Sequence, residues 1–135
     1  MQFSIFAAAS LLFAPLALAL DKPLNIEVTT PAECKRKTQR GDMIDVHYRG
    51  TLESDGTEFD SSYNRDEPLS FTVGKGQVIK GWDEGLLDMC PGEKRKLTIQ
   101  AEWAYGERAM GPIPSNSVLI FETELVAIGG AKDEL

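Results

Sequence analysis

Histidine is almost missing from this chain: there is one, beside two cysteines, in 135 residues. A tetrahedral zinc site built from Cys and His needs more ligands than that, and no metal is expected. Cys34 and Cys90 are far apart in the chain, so there is no C-x-x-C and thioredoxin-like redox chemistry is excluded. Positive charge is in deficit too. Fourteen Lys and Arg stand against 21 Asp and Glu, a net charge of −7, which argues against a nucleic-acid surface. The two basic runs, "CKRKTQR" and "EKRK", read as solvated strand or loop faces. No internal repeat or low-complexity linker follows the first 20 residues, and the length suits one domain once the ends are set aside.

A run long enough to span a membrane is also absent. "IFAAASLLFAPLALAL" is uncharged for 16 residues, short of the roughly 20 that a transmembrane helix needs. Pro15 and the small residues Ala17 and Ala19 fit a cleavage site of the A-x-A kind. Residues 1–20 therefore read as a secretory signal peptide cut near Ala19 or Leu20, with an anchoring helix as the alternative; the segment has no Lys or Arg. At the other end Lys132, Asp133, Glu134 and Leu135 spell the endoplasmic-reticulum retrieval address. The expected organisation is a signal over 1–20, a folded domain over 21–130 and a retrieval tail over 131–135 that engages the retrieval receptor. The expected location is the endoplasmic-reticulum lumen, with no membrane span after cleavage. That compartment permits disulfides, and two cysteines leave one intramolecular pairing. A structural Cys34–Cys90 bridge is expected, with a reactive thiol as the alternative.

What the chain has in quantity is alternation. In "MIDVHYRGTL" Ile44, Val46, Tyr48 and Leu52 share one face, with Asp45, His47, Arg49 and Thr51 on the other, the pattern of a half-buried strand. "LNIEVTT", "LSFTV", "KRKLTIQ" and "VLIFETELVAI" read the same way, separated by turn signals such as "SDGT", "GKG" and "PGEK". One stretch reads as helix, about Lys80 to Met89, where Trp82, Leu86 and Met89 recur at helical spacing before Pro91-Gly92. The spacing predicts an α+β domain of about five mostly antiparallel strands with one short helix on the concave face. Gly85 weakens that helix, so docking on the sheet must stabilise it.

The aromatics cluster near turns and glycines. Tyr48, Phe59, Trp82, Tyr105 and Phe121 read together as the lining of one apolar pocket with a few polar groups. Phe71 and Phe121, each taken alone, read as ordinary core. "VHYRGTL", "GTEFDSS", "VIKGWDEGL", "GEKRKLTI", "YGER" and "LIFETEL" resemble, in order, the successive motifs of the FKBP-type peptidyl-prolyl isomerases. The resemblance covers roughly residues 24 to 127 and implies a bent antiparallel sheet of about five strands wrapped around the one short helix. With the signal, the two cysteines and the tail, the chain resembles the secretory-pathway branch of that family.

The resemblance implies a site. Trp82 is its floor, on which a proline ring rests; Tyr48, Phe59, Val78, Ile79, Tyr105 and Phe121 are its walls, and Leu69 and Phe71 border it. Asp60 and Tyr105 make polar contacts, with Arg65 beside Asp60, and Ile113 is the apolar residue of the loop before the last strand. The Ile79 N–H is where the family donates to a bound carbonyl. Two departures stand out: Leu69 replaces a frequent aromatic, and the loop "GERAMGPIP" is a residue shorter than in small cytosolic members, so that Met110 and Pro112 match nothing definite. The implied partners are proline-containing polypeptides and macrolides of the tacrolimus and rapamycin class; no cofactor is implied, and a monomer is expected.

Peptide-bond rotation is opposed by about 18–20 kcal/mol of amide resonance. A twisted amide loses that resonance and its opposed charges, so an apolar pocket favours it over the planar ground state, without nucleophile or metal. Three classes remain open on the residues alone: an isomerase, a module that only holds proline-containing partners or macrocycles, and a hydrolase suggested by Asp60, Asp83 and Glu84. His47, on the outward strand face, reads as a surface residue rather than a general base.

Overall fold

The computed structural model describes residues 23–129. The signal expected over 1–20 and the tail over 131–135 lie outside the described residues. Six strands form one antiparallel sheet: β1 (Leu24–Thr30), β2 (Met43–Leu52), β3 (Glu58–Ser61), β4 (Leu69–Thr72), β5 (Lys94–Ile99) and β6 (Leu119–Gly129). The order is β1-β5-β6-β2-β3, with β4 also on β2. Strands β3 and β4 share one edge of β2: Leu69–Thr72 pair with its first half and Glu58–Ser61 with its second. Strand β3 is a sixth strand beyond the five read from alternation; its "EFDS" has a single apolar residue, so no period shows.

The sheet curls around α1 (Lys80–Gly85). Its inner face carries Ile44, Val46, Tyr48, Leu97, Ile99, Leu119, Phe121 and Leu125, all buried, against Trp82, Leu86 and Met89. Val126 is an extra residue opposite the Asp45–Val46 step; this bulge shifts the alternation so that Ile128 returns to the core. The outer face is polar and paired by sign. One row across it reads Glu27, Lys96, Glu122, Arg49, opposite charges facing across neighbouring strands.

Close packing of helix on sheet explains the glycines around Trp82. A Cβ on Gly81 would meet Ile99 at 2.5 Å, and one on Gly85 would meet Leu97 at 2.9 Å. Removing both lets the helix backbone settle onto β5, which fixes the height of the indole.

The helix is shorter than the periodicity predicts. It ends at Gly85, and the chain turns through residues 86–90, with Asp88 at φ 66°. The cause is Arg95. It points inward from β5, is 8% exposed, and donates to the carbonyls of Gly85 (2.9 Å), Leu87 (2.8 Å) and Asp88 (3.1 Å). Those carbonyls would otherwise lack partners at the helix end. Glu93 balances the charge at 2.8 Å and accepts the Cys90 N–H at 3.0 Å. The basic run "EKRK" is therefore not a solvated face throughout, since its Arg and Glu are buried.

Cys34 and Cys90 form a disulfide, Cα to Cα 5.6 Å. It fastens the segment before β2 to the turn after α1. Thr38 reinforces the join: its Oγ1 donates to the Leu86 carbonyl at 2.7 Å and accepts the Met89 N–H at 2.8 Å.

Candidate active site

At the N-terminal end of α1 the sheet opens into a cavity of about 650 Å³, a size ordinary for a small-ligand site. Trp82 forms its base. The rings of Tyr48 and Phe121 meet the indole edge-on, with centroids at 5.0 and 5.2 Å. Phe59 stands edge-on to Phe121 at 5.5 Å. Edge-to-face packing of this kind fixes ring orientation. The indole Nε1 is buried without a hydrogen-bond partner among the described residues, so packing alone holds the ring.

Of the residues expected at the site, Tyr48, Phe59, Asp60, Leu69, Val78, Ile79, Trp82, Tyr105, Ile113 and Phe121 line this one cavity. Arg65 and Phe71 do not. Phe71 lies behind Trp82, centroids 5.6 Å apart, because its place on β4 turns it into the core. Arg65 stands behind Asp60, donating to the carboxylate at 2.7 Å and to the Tyr48 hydroxyl oxygen at 2.8 Å. The Tyr48 hydroxyl donates to the other Asp60 oxygen. Burial pushes the Asp60 carboxyl up, but the hydrogen bonds from Tyr48 and Arg65 and the guanidinium charge outweigh it and hold it below the usual carboxylate range. Burial first, and then the hydrogen bond to Asp60 for Tyr48 and the Asp60 charge for Tyr105, push these two hydroxyls above the usual phenol value. Both remain protonated donors at neutral pH.

Several donors at the cavity are unused among the described residues, the Trp82 Nε1 among them. The Tyr105 hydroxyl and the Ile79 N–H bond to nothing among the described residues, and Ile79 is the uncapped residue just before α1. The approach to Ile79 is set by Asp83, whose carboxylate accepts the N–H groups of Gly74 and Gly76, both at 2.8 Å. Both glycines have positive φ, 83° and 79°, which suits residues without a Cβ. Asp83 is thus a loop anchor, and Glu84 is engaged by Arg40; neither joins Asp60 in a hydrolytic arrangement.

Several site residues escaped the reading of the sequence. Gly50 is one: a Cβ there would meet Phe59 at 2.6 Å and Phe121 at 2.8 Å. A glycine inside an otherwise regular strand was the available signal, since it marks close approach. Gly76, Gln77, Ala104, Arg108, Met110 and Pro112 also line the cavity. Met110 and Ile113 bond to each other in both directions at 2.9 Å, around Gly111 at φ 55°. That tight turn brings Met110 and Pro112 to the rim. Among the described residues no group of three or more His, Cys, Asp or Glu could hold a metal ion, and no helix is long and apolar enough to cross a membrane.

Residues 34–126 match the family described as FKBP-type peptidyl-prolyl cis-trans isomerase. The chain belongs to that family. FK506-binding protein 2 of Aspergillus oryzae is 60% identical over all of both chains. FK506-binding protein 1A of Neurospora crassa is 64% identical over 81% of this chain and 91% of its own. The crystal structure of AtFKBP13 shares the fold with a TM-score of 0.72 and 40% identity, covering 78% of this chain and 93% of that one. The chain is accordingly a peptidyl-prolyl isomerase, and its reaction is rotation about the peptide bond preceding proline.

Proposed function

We propose that this enzyme accelerates proline isomerisation in folding secretory chains by binding the twisted amide in the Trp82 pocket. The observation that carries the mechanism is the division of polar groups at the cavity. Asp60 is engaged by Tyr48 and Arg65, while the Tyr105 hydroxyl and the Ile79 N–H are free to donate. The proline ring rests on Trp82, and the Ile79 N–H donates to a substrate carbonyl. Apolar walls disfavour the charge-separated planar amide relative to the twisted one. Each tenfold gain requires only about 1.4 kcal/mol of that differential. The same rings accept a macrolide of the FK506 class, a reading supported by the names of the relatives.

The secretory assignment rests on the apolar N-terminal run and the C-terminal KDEL, and a disulfide is compatible with it. The roles of Lys132 to Leu135 and of the retrieval receptor follow from that assignment.

The test is an isomerisation assay on purified residues 21–135 with a Leu-Pro peptide, run with and without FK506. Turnover that the macrolide abolishes, with quenching of Trp82 fluorescence, is the expected result. Turnover unaffected by saturating macrolide would place catalysis elsewhere. For location, deleting Lys132 to Leu135 should release the protein to the medium; retention after deletion would mean that another anchor holds it.

A further inference from the structure

Two charged side chains line the cavity, Asp60 and Arg108, and they stand in opposite situations. The Asp60 carboxylate is engaged by Arg65 at 2.7 Å and by the Tyr48 hydroxyl. Arg108 has no ion pair and no side-chain hydrogen bond among the described residues; only its backbone N–H is used, donating to Tyr105 at 3.1 Å. Lys80, next to the lining residue Ile79, is turned onto the Trp103 ring at 4.6 Å and is not part of the lining. The mouth of the pocket therefore presents one uncompensated charge, and it is positive, on a chain whose net charge is −7.

The loop that carries Arg108 is fixed at several points. The Gly106 N–H donates to Ala101 and the Asn116 N–H to Gly106, both at 2.8 Å, and Met110 and Ile113 are cross-linked by their backbones. The Ser117 hydroxyl donates to the Pro114 carbonyl at 2.7 Å. The backbone that carries the guanidinium is thus a bonded frame beside Tyr105, and it holds the charge in the cavity lining.

We propose that Arg108 is a specificity-determining residue that selects substrates bearing a carboxylate within two residues of the proline. Extended chain advances about 3.3–3.6 Å per residue, so a carboxylate at that separation is within reach of an arginine side chain at the rim. The guanidinium offers a planar fork of donors matched to a carboxylate. The proposal rests on the isomerase reading of the pocket and adds a substrate class to it. Because the charge lies away from the rotating bond, it binds planar and twisted substrate alike. Its effect therefore falls on KM and not on kcat.

The experiment uses peptides with a fixed Leu-Pro core and Glu, Gln or Lys placed in turn two residues before, one after or two after the proline. Wild-type enzyme should prefer Glu to Gln by about two- to fivefold in kcat/KM at one of these positions, the size of an exposed ion pair. The preference should be carried by KM and fade toward about 1 M salt, where screening is short-ranged. Arg108→Lys should keep part of it, Arg108→Gln should bring the Glu/Gln ratio to about one, and Arg108→Glu should turn the preference toward Lys. Equal handling of Glu and Gln at every position, with the neutral peptide still turned over, overturns the proposal and leaves the isomerase reading intact. A Glu preference that survives in Arg108→Gln, or at high salt, overturns it as well. Failure to turn over the neutral peptide would instead remove the reading on which it rests.

Discussion

The two ends of α1 are treated in opposite ways. At the C-terminal end long-range partners collect the loose carbonyls: Arg95 takes three, Thr38 takes a fourth and gives back an acceptor, Glu93 balances the guanidinium, and the disulfide closes the join. At the N-terminal end no side chain caps the helix and the Ile79 N–H has no partner among the described residues. Buried polar groups are costly when unmatched, so a fold that saturates one end and opens the other keeps its unmet bonding for a ligand. The short helix is sturdy because of its closed end and useful because of its open one.

Substitutions should separate the two ends cleanly. Trp82→Ala should act most strongly, because the residue is both core and floor. It should cost about 3–5 kcal/mol of stability and abolish most turnover, measured by denaturant unfolding and by the peptide assay. Arg95→Met is its counterpart at the closed end. Removing one partner of a buried pair costs about 3–5 kcal/mol, so the unfolding midpoint should fall sharply while the folded fraction keeps its kcat. A comparable fall in kcat for the folded fraction would mean that the two ends are not separable.

Cys34→Ser with Cys90→Ser should come next. Loop-closure entropy for a sequence separation of 56 sets about 4 kcal/mol as a generous upper figure. Stability should fall by less than that, again without loss of turnover by folded protein.

Asp60 sharpens the comparison through pH. Its carboxyl is held below its ordinary value in the folded state. Its stabilising contribution is therefore complete above the unfolded value, about pH 4, and is lost as pH falls through the folded one. Tyr48 and Tyr105, pushed upward, stay protonated until pH exceeds about 10. Turnover should accordingly be flat from about pH 5 to 9, and Asp60→Asn should lower it only severalfold. A pH dependence inside that range that His47→Gln abolishes would contradict the mechanism.

The smallest effect is expected at His47. It sits on the outer face, within 2.8 Å of the Ser62 hydroxyl and stacked on Tyr63 at 4.7 Å. His47→Gln should leave kcat/KM within about twofold, since it alters no pocket contact.

Much of this was legible in the chain. Alternation placed Ile44, Val46, Tyr48 and Phe121 on the inner face, and motif order brought ten of the expected site residues to one cavity. Both signals are local: a side chain's face follows from the two-residue period of a strand. The helix end at Gly85 was not legible, because what stops it is Arg95, ten residues on and on another element. In a strand pattern Arg95 resembles its solvated neighbours Lys94 and Lys96, and only the carbonyls it meets make its burial tolerable. Gly50 and Arg108 were missed for a similar reason, since a missing Cβ and an unpaired charge acquire meaning only from what lies opposite.

The sequence by itself determined which residues face inward, where the chain must turn, and that a Trp between glycines would lie close against a sheet. Tertiary structure decided which polar groups are spent and which are left over. Partnership is settled across the fold: Thr38 with Met89, 51 positions apart, and Arg65 with Tyr48 across 17. The cavity groups that remain unpartnered among the described residues after those long-range matches are made — the Trp82 indole N–H, the Ile79 N–H, the Tyr105 hydroxyl and the Arg108 guanidinium — are a remainder, and a remainder is fixed only when the whole chain has closed around its core.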